Sequence, residues 1–399
     1  MRYVYLDHAA TAPVDREVMR SMLPYLKEGF GNPSSFHSVG KVAKDAVDSA
    51  RADIANALGA RADEIVFTSG GTESDNLAIL GVARQFREKG KHIITTATEH
   101  PAVLEVMEYL GTKEGFEITV LPVDGEGKVS ASQVVAALRP DTILVSVIYA
   151  NNEIGTINDI AGIGKAIARH KKETKSIFPL LHTDACQALQ YIDIRVDALH
   201  VDLLTINSTK VYGPKGVGAL FVRRGVKLWP LQFGGSQEFG RRPGTENVAG
   251  IVGFSVAVQK ALAIREKESV RVGALRDMLI EGIKATVPKA RLNGHTTDRL
   301  PNNANISFMD LEGEALTLYL DAKGVYVSTG SACTSASLDP SHVILALGLP
   351  YEVAHGSIRF SLGRSTTKKD INYVLKQLPP LVERLRNMSP VRVDPKYYE

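Results

Sequence analysis

Lys210 ends an apolar run and opens a glycine- and proline-rich turn in Thr205-Ile-Asn-Ser-Thr-Lys210-Val-Tyr-Gly-Pro-Lys-Gly-Val-Gly218. An ammonium at such a strand end is partly desolvated, which favours the neutral, nucleophilic amine and suits it to a Schiff base with an aldehyde cofactor. Upstream lies His182-Thr-Asp184-Ala-Cys-Gln187. Pyridoxal 5'-phosphate acts as an electron sink while its ring nitrogen is protonated, and a carboxylate such as Asp184 holds that proton in place. The Lys and the Asp therefore read together as one cofactor site. Lys215 is the rival amine, but it follows Gly-Pro inside the turn, where a lysine is ordinarily a solvated loop residue.

A phosphate needs donors of its own. Phe67-Thr-Ser-Gly70-Gly71-Thr72-Glu-Ser-Asp-Asn76 follows a strand-like run and opens a helical pattern carrying Leu77, Leu80 and Phe86. Unpaired backbone N–H groups and the positive end of a helix dipole attract phosphate, and Thr72 adds a hydroxyl. The segment has neither G-x-G-x-x-G nor a G-K-[ST] ending, so it is no dinucleotide fingerprint or Walker loop. Taken alone it reads at least as well as a structural turn. His100, in Thr98-Glu-His100-Pro101-Ala-Val-Leu, precedes a proline suited to the first turn of a helix. It reads either as a helix cap or as an imidazole stacked on the pyridine ring, at the strand edges where open α/β sheets bind ligands.

Two cysteines cannot build a disulfide framework, and they differ in surroundings. Cys333 lies in Ser328-Thr-Gly-Ser-Ala-Cys-Thr-Ser-Ala-Ser-Leu-Asp-Pro340, whose low apolar content predicts an exposed thiol on a mobile loop. Cys186 sits between Asp184 and Gln187 at an apolar strand end and reads as a small buried hydrophobe.

The elements that must hold these residues are strands alternating with helices. Apolar runs at Glu64–Thr68, His92–Thr96, Phe116–Val120, Thr142–Ile148, Pro179–His182, Val201–Ile206 and Gly218–Val222 predict strands, several with helical patterns between them. Their near-continuous Val, Ile and Leu suit a mostly parallel sheet buried on both faces. Beyond Asn247 a long helical pattern runs through Ile251, Phe254, Val258, Leu262 and Ile264 toward a C-terminal α+β region. The chain has 399 residues, 44% hydrophobic and 23% charged, with a net charge of +3 and no basic run of five. These numbers predict a globular protein with no nucleic-acid or membrane partner. No charged and apolar leader opens the chain, and no run of about eighteen uninterrupted apolar residues occurs, so a soluble cytoplasmic protein is expected.

The motifs Tyr5-Leu-Asp7-His-Ala-Ala-Thr11-Ala-Pro13, Thr68-Ser-Gly-Gly-Thr72-Glu-Ser-Asp-Asn76, Glu99-His100, Asn151-Asn-Glu-Ile-Gly155, Asp184-Ala-Cys-Gln187, Lys210-Val-Tyr-Gly-Pro-Lys-Gly216, Arg242-Pro-Gly-Thr245, Ser331-Ala-Cys333-Thr-Ser-Ala-Ser337 and Ser357-Ile-Arg359-Phe-Ser-Leu-Gly-Arg364 cover almost the whole chain. In this order they resemble the cysteine desulfurases among the class V aminotransferases, in the branch that supplies sulfur for iron–sulfur cluster assembly. The resemblance implies a fold-type I α/β architecture, with a mostly parallel, mixed seven-stranded sheet flanked by helices. Residues 15–262 would form the large cofactor domain, and 1–14 with 263–399 a smaller α+β domain carrying the Cys333 loop.

The same resemblance implies roles. Lys210 would hold the cofactor, Asp184 pair with its ring nitrogen, Gln187 bond its phenolic oxygen, and His100 lie over the ring. Gly71, Thr72, Asn207 and Thr209 would meet the phosphate, joined by Thr245 from the other subunit of a homodimer. Asn151 and Arg359 would hold the carboxylate of L-cysteine. The Cys333 thiolate would take the sulfur as a persulfide, leaving L-alanine, and pass it to an iron–sulfur scaffold or another acceptor protein. No metal is required, although Cys333 could briefly touch a nascent cluster.

Three features depart from the pattern. Thr209 stands where relatives usually carry His, which implies a looser hold on the cofactor. Asn207 stands where Ser is common, and the tail Leu385–Glu399 does not resemble the extension that docks a scaffold. A selenocysteine lyase or small-amino-acid aminotransferase of the same fold is the alternative enzyme, with no need of a Cys loop. An inactive structural partner in an assembly complex is the alternative outside catalysis.

Overall fold

The computed structural model describes residues 3–330 and 339–398. The strands are β1 (Val4–Tyr5), β2 (Ile65–Thr68), β3 (His92–Thr96), β4 (Glu117–Leu121), β5 (Thr142–Ser146), β6 (Leu180–Asp184), β7 (Leu203–Asn207), β8 (Gly218–Val222), β9 (Ala290–Asn293), β10 (Asn303–Phe308), β11 (Val325–Tyr326) and β12 (Ser357–Ser361). Seven of them form one sheet in the order β2-β8-β7-β6-β5-β3-β4. β8 runs antiparallel to β2 and β7, and every other pairing is parallel. The strands fall on the expected apolar runs, with β6 carried two residues further to Asp184, β4 and β7 one further to Leu121 and Asn207, and β5 ending two short at Ser146.

Consecutive side chains point to opposite faces of a strand, so an all-apolar strand feeds two cores at once. Ile93 and Ile94, Leu144 and Val145, Leu180 and Leu181, and Leu203 and Leu204 divide in this way. One face meets the helices Ser38–Leu58 and Val248–Thr286, through Val47, Ile54, Phe254 and Val258. The other meets Gly71–Phe86 and Pro101–Lys113, through Leu77, Ile79, Val103 and Leu110.

A separate core is built on the antiparallel sheet β12-β10-β9 and on the parallel pair β1-β11. Val4 and Leu6 join Phe308, Phe360, Val374 and Leu378 there, so the start of the chain packs with its end. The helix Val248–Thr286 bridges the two cores, with Val248 to Ala261 in the first and Val272 to Ile283 in the second. The expected boundary at 262 thus falls within one continuous helix. By length and composition this helix could cross a membrane, but half of its most apolar window is buried, and it packs on Arg16–Leu26 and Ser38–Leu58. The tail folds back on the molecule: Val393 is buried and donates its N–H to Asp310, and Arg291 donates to the Tyr397 carbonyl.

Candidate active site

Parallel strands bring their C-terminal ends to one edge, and the β6–β7 register sets Asp184 beside Thr205. β7 then gives way to a tight turn, Ser208–Lys210, which lifts Lys210 over that edge. Its Nζ donates to the carbonyls of Ala9 at 2.8 Å and Ala10 at 2.5 Å. Gln187 Nε2 also donates to Ala9 O, at 2.9 Å. The N-terminal segment, held by the second core, thereby closes a cavity of about 260 Å³. Its walls include Gly71, Thr72, His100, Asp184, Gln187, Asn207, Lys210 and Arg359. These eight expected residues, scattered from 71 to 359, meet in one place.

At one end the helix Gly71–Phe86 starts directly after β2, with its first N–H groups at the cavity. A Cβ on Gly71 would come within 2.9 Å of Cys186 Sγ and 3.4 Å of Asn207 Nδ2, so no larger residue fits. Thr209 donates both its N–H and its hydroxyl to Asn207 Oδ1, each at 2.7 Å. That bond turns the Asn207 amide nitrogen toward Gly71. Thr209, expected at the phosphate, is half-buried beside this end of the cavity and orients Asn207 through these two bonds.

At the other end Arg359, on β12, is buried. Its Nη2 donates to Asp7 Oδ1 at 2.9 Å, and its Nη1 to the carbonyls of Asn152 at 3.2 Å and Gly330 at 3.3 Å. Its Nε has no hydrogen-bond partner among the described residues, which leaves a donor for an incoming carboxylate. Asn151, expected at the substrate carboxylate, is buried and is not among the residues lining the cavity. Its Nδ2 donates to Thr98 O and its Oδ1 accepts from the N–H groups of Glu153 and Ile154, so it braces the turn while Asn152 lines the cavity.

His100 caps a helix and lines the cavity. Its Nδ1 accepts from Ala102 N–H at 3.1 Å, capping the helix Pro101–Lys113, and its ring lines the cavity. Burial, aided by Lys210, His342 and Arg359, lowers its pKa against the pull of Asp184. The ring is neutral near pH 7 with its proton on Nε2, since Nδ1 is an acceptor. Cys186 lies in the cavity wall, and burial next to Asp184 pushes its thiol well above the usual range, which suits packing and not nucleophilic attack. Lys215 is exposed in its turn. Cys333 lies outside the described residues. Thr245 is exposed and lines a different cleft with Thr68, Ser69 and Arg242, so a single chain does not bring it to Lys210.

Several residues were not anticipated. Asp7 and Asn152 set Arg359, and the carbonyls of Ala9 and Ala10 receive Lys210. Glu99 is fully buried, accepts from Thr96 Oγ1 and Ile148 N–H, and is pushed up to about 8 by burial. Asp75 is buried in the cavity wall as well. Both lay within motifs singled out above, but an acid one turn into a helix ordinarily reads as solvated.

This donor set fits pyridoxal 5'-phosphate. One end offers helix N–H groups around a glycine that nothing larger can replace, the middle an amine, and the floor a buried carboxylate.

The class-V aminotransferase family model matches residues 4–374. A protein curated as "Cysteine desulfurase IscS" from Dictyoglomus turgidum is 53% identical over 391 residues, spanning 98% of this chain and 97% of that protein. Among solved structures, one described as a NifS-like protein superimposes with a TM-score of 0.89 at 36% identity, covering 96% of this chain and 100% of the other. Another, described as SspA in complex with cysteine, gives 0.79 at 37% identity, covering 90% and 98%. The chain belongs to the class-V aminotransferase family, in its IscS-type cysteine desulfurase branch.

Proposed function

We infer that this chain is a pyridoxal-phosphate-dependent cysteine desulfurase, which removes sulfur from L-cysteine and leaves L-alanine. The observation that carries this reading is the single cavity lined by Lys210, Asp184, His100 and Arg359. When bound, the cofactor supplies an aldehyde carbon for amines and an electron-withdrawing ring that loosens bonds at the substrate's α and β carbons. Lys210 supplies the amine that meets this aldehyde, held over the strand edge by two backbone carbonyls. Asp184 would hold the ring-nitrogen proton, Gln187 the ring oxygen, and Gly71, Thr72 and Asn207 the phosphate. Arg359, fixed by Asp7, takes the substrate carboxylate on its open Nε edge. Neutral His100 is placed to move a proton at Nε2.

Sulfur leaves the substrate for Cys333. The Cys333 thiolate forms an S–S bond to the substrate sulfur, the C–S bond breaks, and its electron pair stays on carbon, which takes up a proton. L-Cysteine and a thiol become L-alanine and a persulfide, with no external oxidant. The persulfide then passes to an acceptor protein, an iron–sulfur scaffold or another thio-cofactor pathway. The functional unit is a homodimer in which Thr245 completes the partner's phosphate site, a reading supported by its place away from Lys210 within one chain.

The test is sulfide and alanine release from L-cysteine under reductant, which should be equal in amount. Cys333→Ser should abolish sulfide release while still binding cofactor, and Cys186→Ser should remain active. Equal loss in both overturns the assignment of the two thiols, and a keto acid formed without sulfide would favour the aminotransferase. Mixing Lys210→Ala with Thr245→Ala chains should restore activity, because one site in each heterodimer keeps both residues. No recovery argues against the shared site.

A further inference from the structure

Asp75 is a buried acid with no role in the reading above. It lies one turn into the helix Gly71–Phe86, is 1% exposed, and lines the cavity with Asp184, Cys186 and Lys210. Its Oδ1 has no hydrogen-bond partner among the described residues and stands 3.6 Å from His182 Nε2. An unsatisfied oxygen this deep is costly unless something at the site uses it.

We propose that Asp75 is a positioning residue at the ring-nitrogen end of the cavity, an uncharged carboxyl that leaves Asp184 as the one carboxylate aimed at the cofactor ring. The proposal rests on the cofactor reading above and adds a second acid to it. Burial, with Asp184 beside it, pushes the Asp75 carboxyl well above the usual carboxylate range, against a hydrogen bond from Thr205. His182 cannot neutralise it as a cation, because complete burial lowers that imidazole to about 4 and its Nδ1 pairs with Ser146 Oγ at 2.8 Å. Of the other titratable groups near it, Glu99 and Cys186 are themselves neutral near pH 7, and the His100 ring and the Lys210 amine line the same cavity. β2, β5, β7 and β8 bring no titratable side chain to this helix, and Glu105, Glu108, Tyr109 and Lys113 on the packed helix Pro101–Lys113 face solvent.

Two like charges in a water-poor wall repel, so protons settle on the acid with the poorer hydrogen bonding. Asp184 Oδ1 accepts the Cys186 N–H at 2.8 Å, a backbone donor that Asp75 Oδ1 lacks among the described residues. Asp75, neutral, sits beside it as donor without competing for the ring-nitrogen proton. Because Asp75 is carried by the helix whose first turn faces the phosphate, it also ties the phosphate end of the cavity to the ring-nitrogen end.

Asp75→Asn keeps the size, neutrality and a donor, whereas Asp75→Leu keeps only the volume. Cofactor binding to apo protein, followed by fluorescence quenching, should stay within about threefold of wild type for Asp75→Asn and weaken roughly tenfold for Asp75→Leu, one buried hydrogen bond's worth. The pH midpoint of the bound cofactor's absorbance should not move in Asp75→Asn. A shift of about one unit or more would mean that a charge had been removed and would overturn the proposal.

The cofactor-free protein gives an independent readout. An acid that is protonated when folded and ionised when unfolded costs stability as pH rises from the unfolded value toward the folded one. The melting temperature of apo Asp75→Asn relative to wild type should therefore climb between pH 5.5 and 8.5. A pH-independent difference overturns the proposal, even if Asp75→Leu fails to fold. Failure of wild type to take up pyridoxal phosphate would instead sink the cofactor reading, and the melting series would still decide the charge of Asp75.

Discussion

At the ring-nitrogen end of the cavity, Asp75, Asp184, Glu99 and His182 crowd together with almost no exposure. At the substrate end, Arg359 meets Asp7 across 2.9 Å and keeps an unspent Nε edge. Both ends are buried, but they solve the cost of burying polar groups in different ways. The first stays nearly neutral by holding protons on acids and off His182, so its properties follow pH. The second pairs permanent opposite charges, so its properties follow geometry and the shape of the guanidinium. Asp75 and Glu99 should therefore tolerate neutral isosteres, whereas Arg359 should not tolerate even a lysine.

Lys210 belongs to both ends, and Lys210→Ala is the largest change. Sulfide release should fall on the order of a thousandfold or more, together with loss of the cofactor's imine absorbance. A yellow, active variant would dissolve the comparison by removing its centre. Arg359→Lys comes next: KM for L-cysteine should rise about ten- to a hundredfold in steady-state assays, since a point charge cannot present the planar fork. An unchanged KM would mean that the charge alone matters at that end.

The neutral end should show itself in stability. His182 is held at about 4, so protons bind the unfolded chain first as pH falls below the free-histidine value of 6.5, and up to about 3 kcal/mol is lost by pH 4. Glu99 works in the opposite direction. Held at about 8, it must keep a proton to fold, and its cost grows as pH rises from 4.5 to 8. Denaturant unfolding across pH 4 to 9 should show stability falling at both extremes, and Glu99→Gln should flatten the alkaline side. A wild-type curve level on the alkaline side would argue that Glu99 is ionised in the fold.

The smallest effect concerns Thr209. Its hydroxyl orients Asn207, so Thr209→Val should weaken cofactor affinity about fivefold, measured by dialysis, with kcat little changed. A loss equal to that of Asn207→Ala would place Thr209 in direct contact with the phosphate after all.

The chemically loud positions were legible in the sequence. A Lys before a Gly-Pro-Lys-Gly turn, an Asp at an apolar strand end and a His before Pro are each unusual enough to mark a site, and the even alternation of apolar runs marks the sheet. The sequence could not say which of Asn151 and Asn152 lines the cavity, because a one-residue difference inside a turn decides it. Asp75 and Glu99 were silent because nothing in a single sequence says that a helix face or a strand end is sealed from water.

What the sequence determined by itself is local: which segments pair as strands, where helices start, and which side chains carry reactive groups. Backbone hydrogen bonding and side-chain periodicity act between neighbours in the chain, so they can be read along it. Only the tertiary structure decided that Ala9 and Ala10 receive Lys210, that Asp7 holds Arg359 across the chain, and that Thr245 faces away from the Lys210 cavity. Contacts over such separations, and the burial that sets each acid's proton, depend on how the two cores dock, and no local pattern records that.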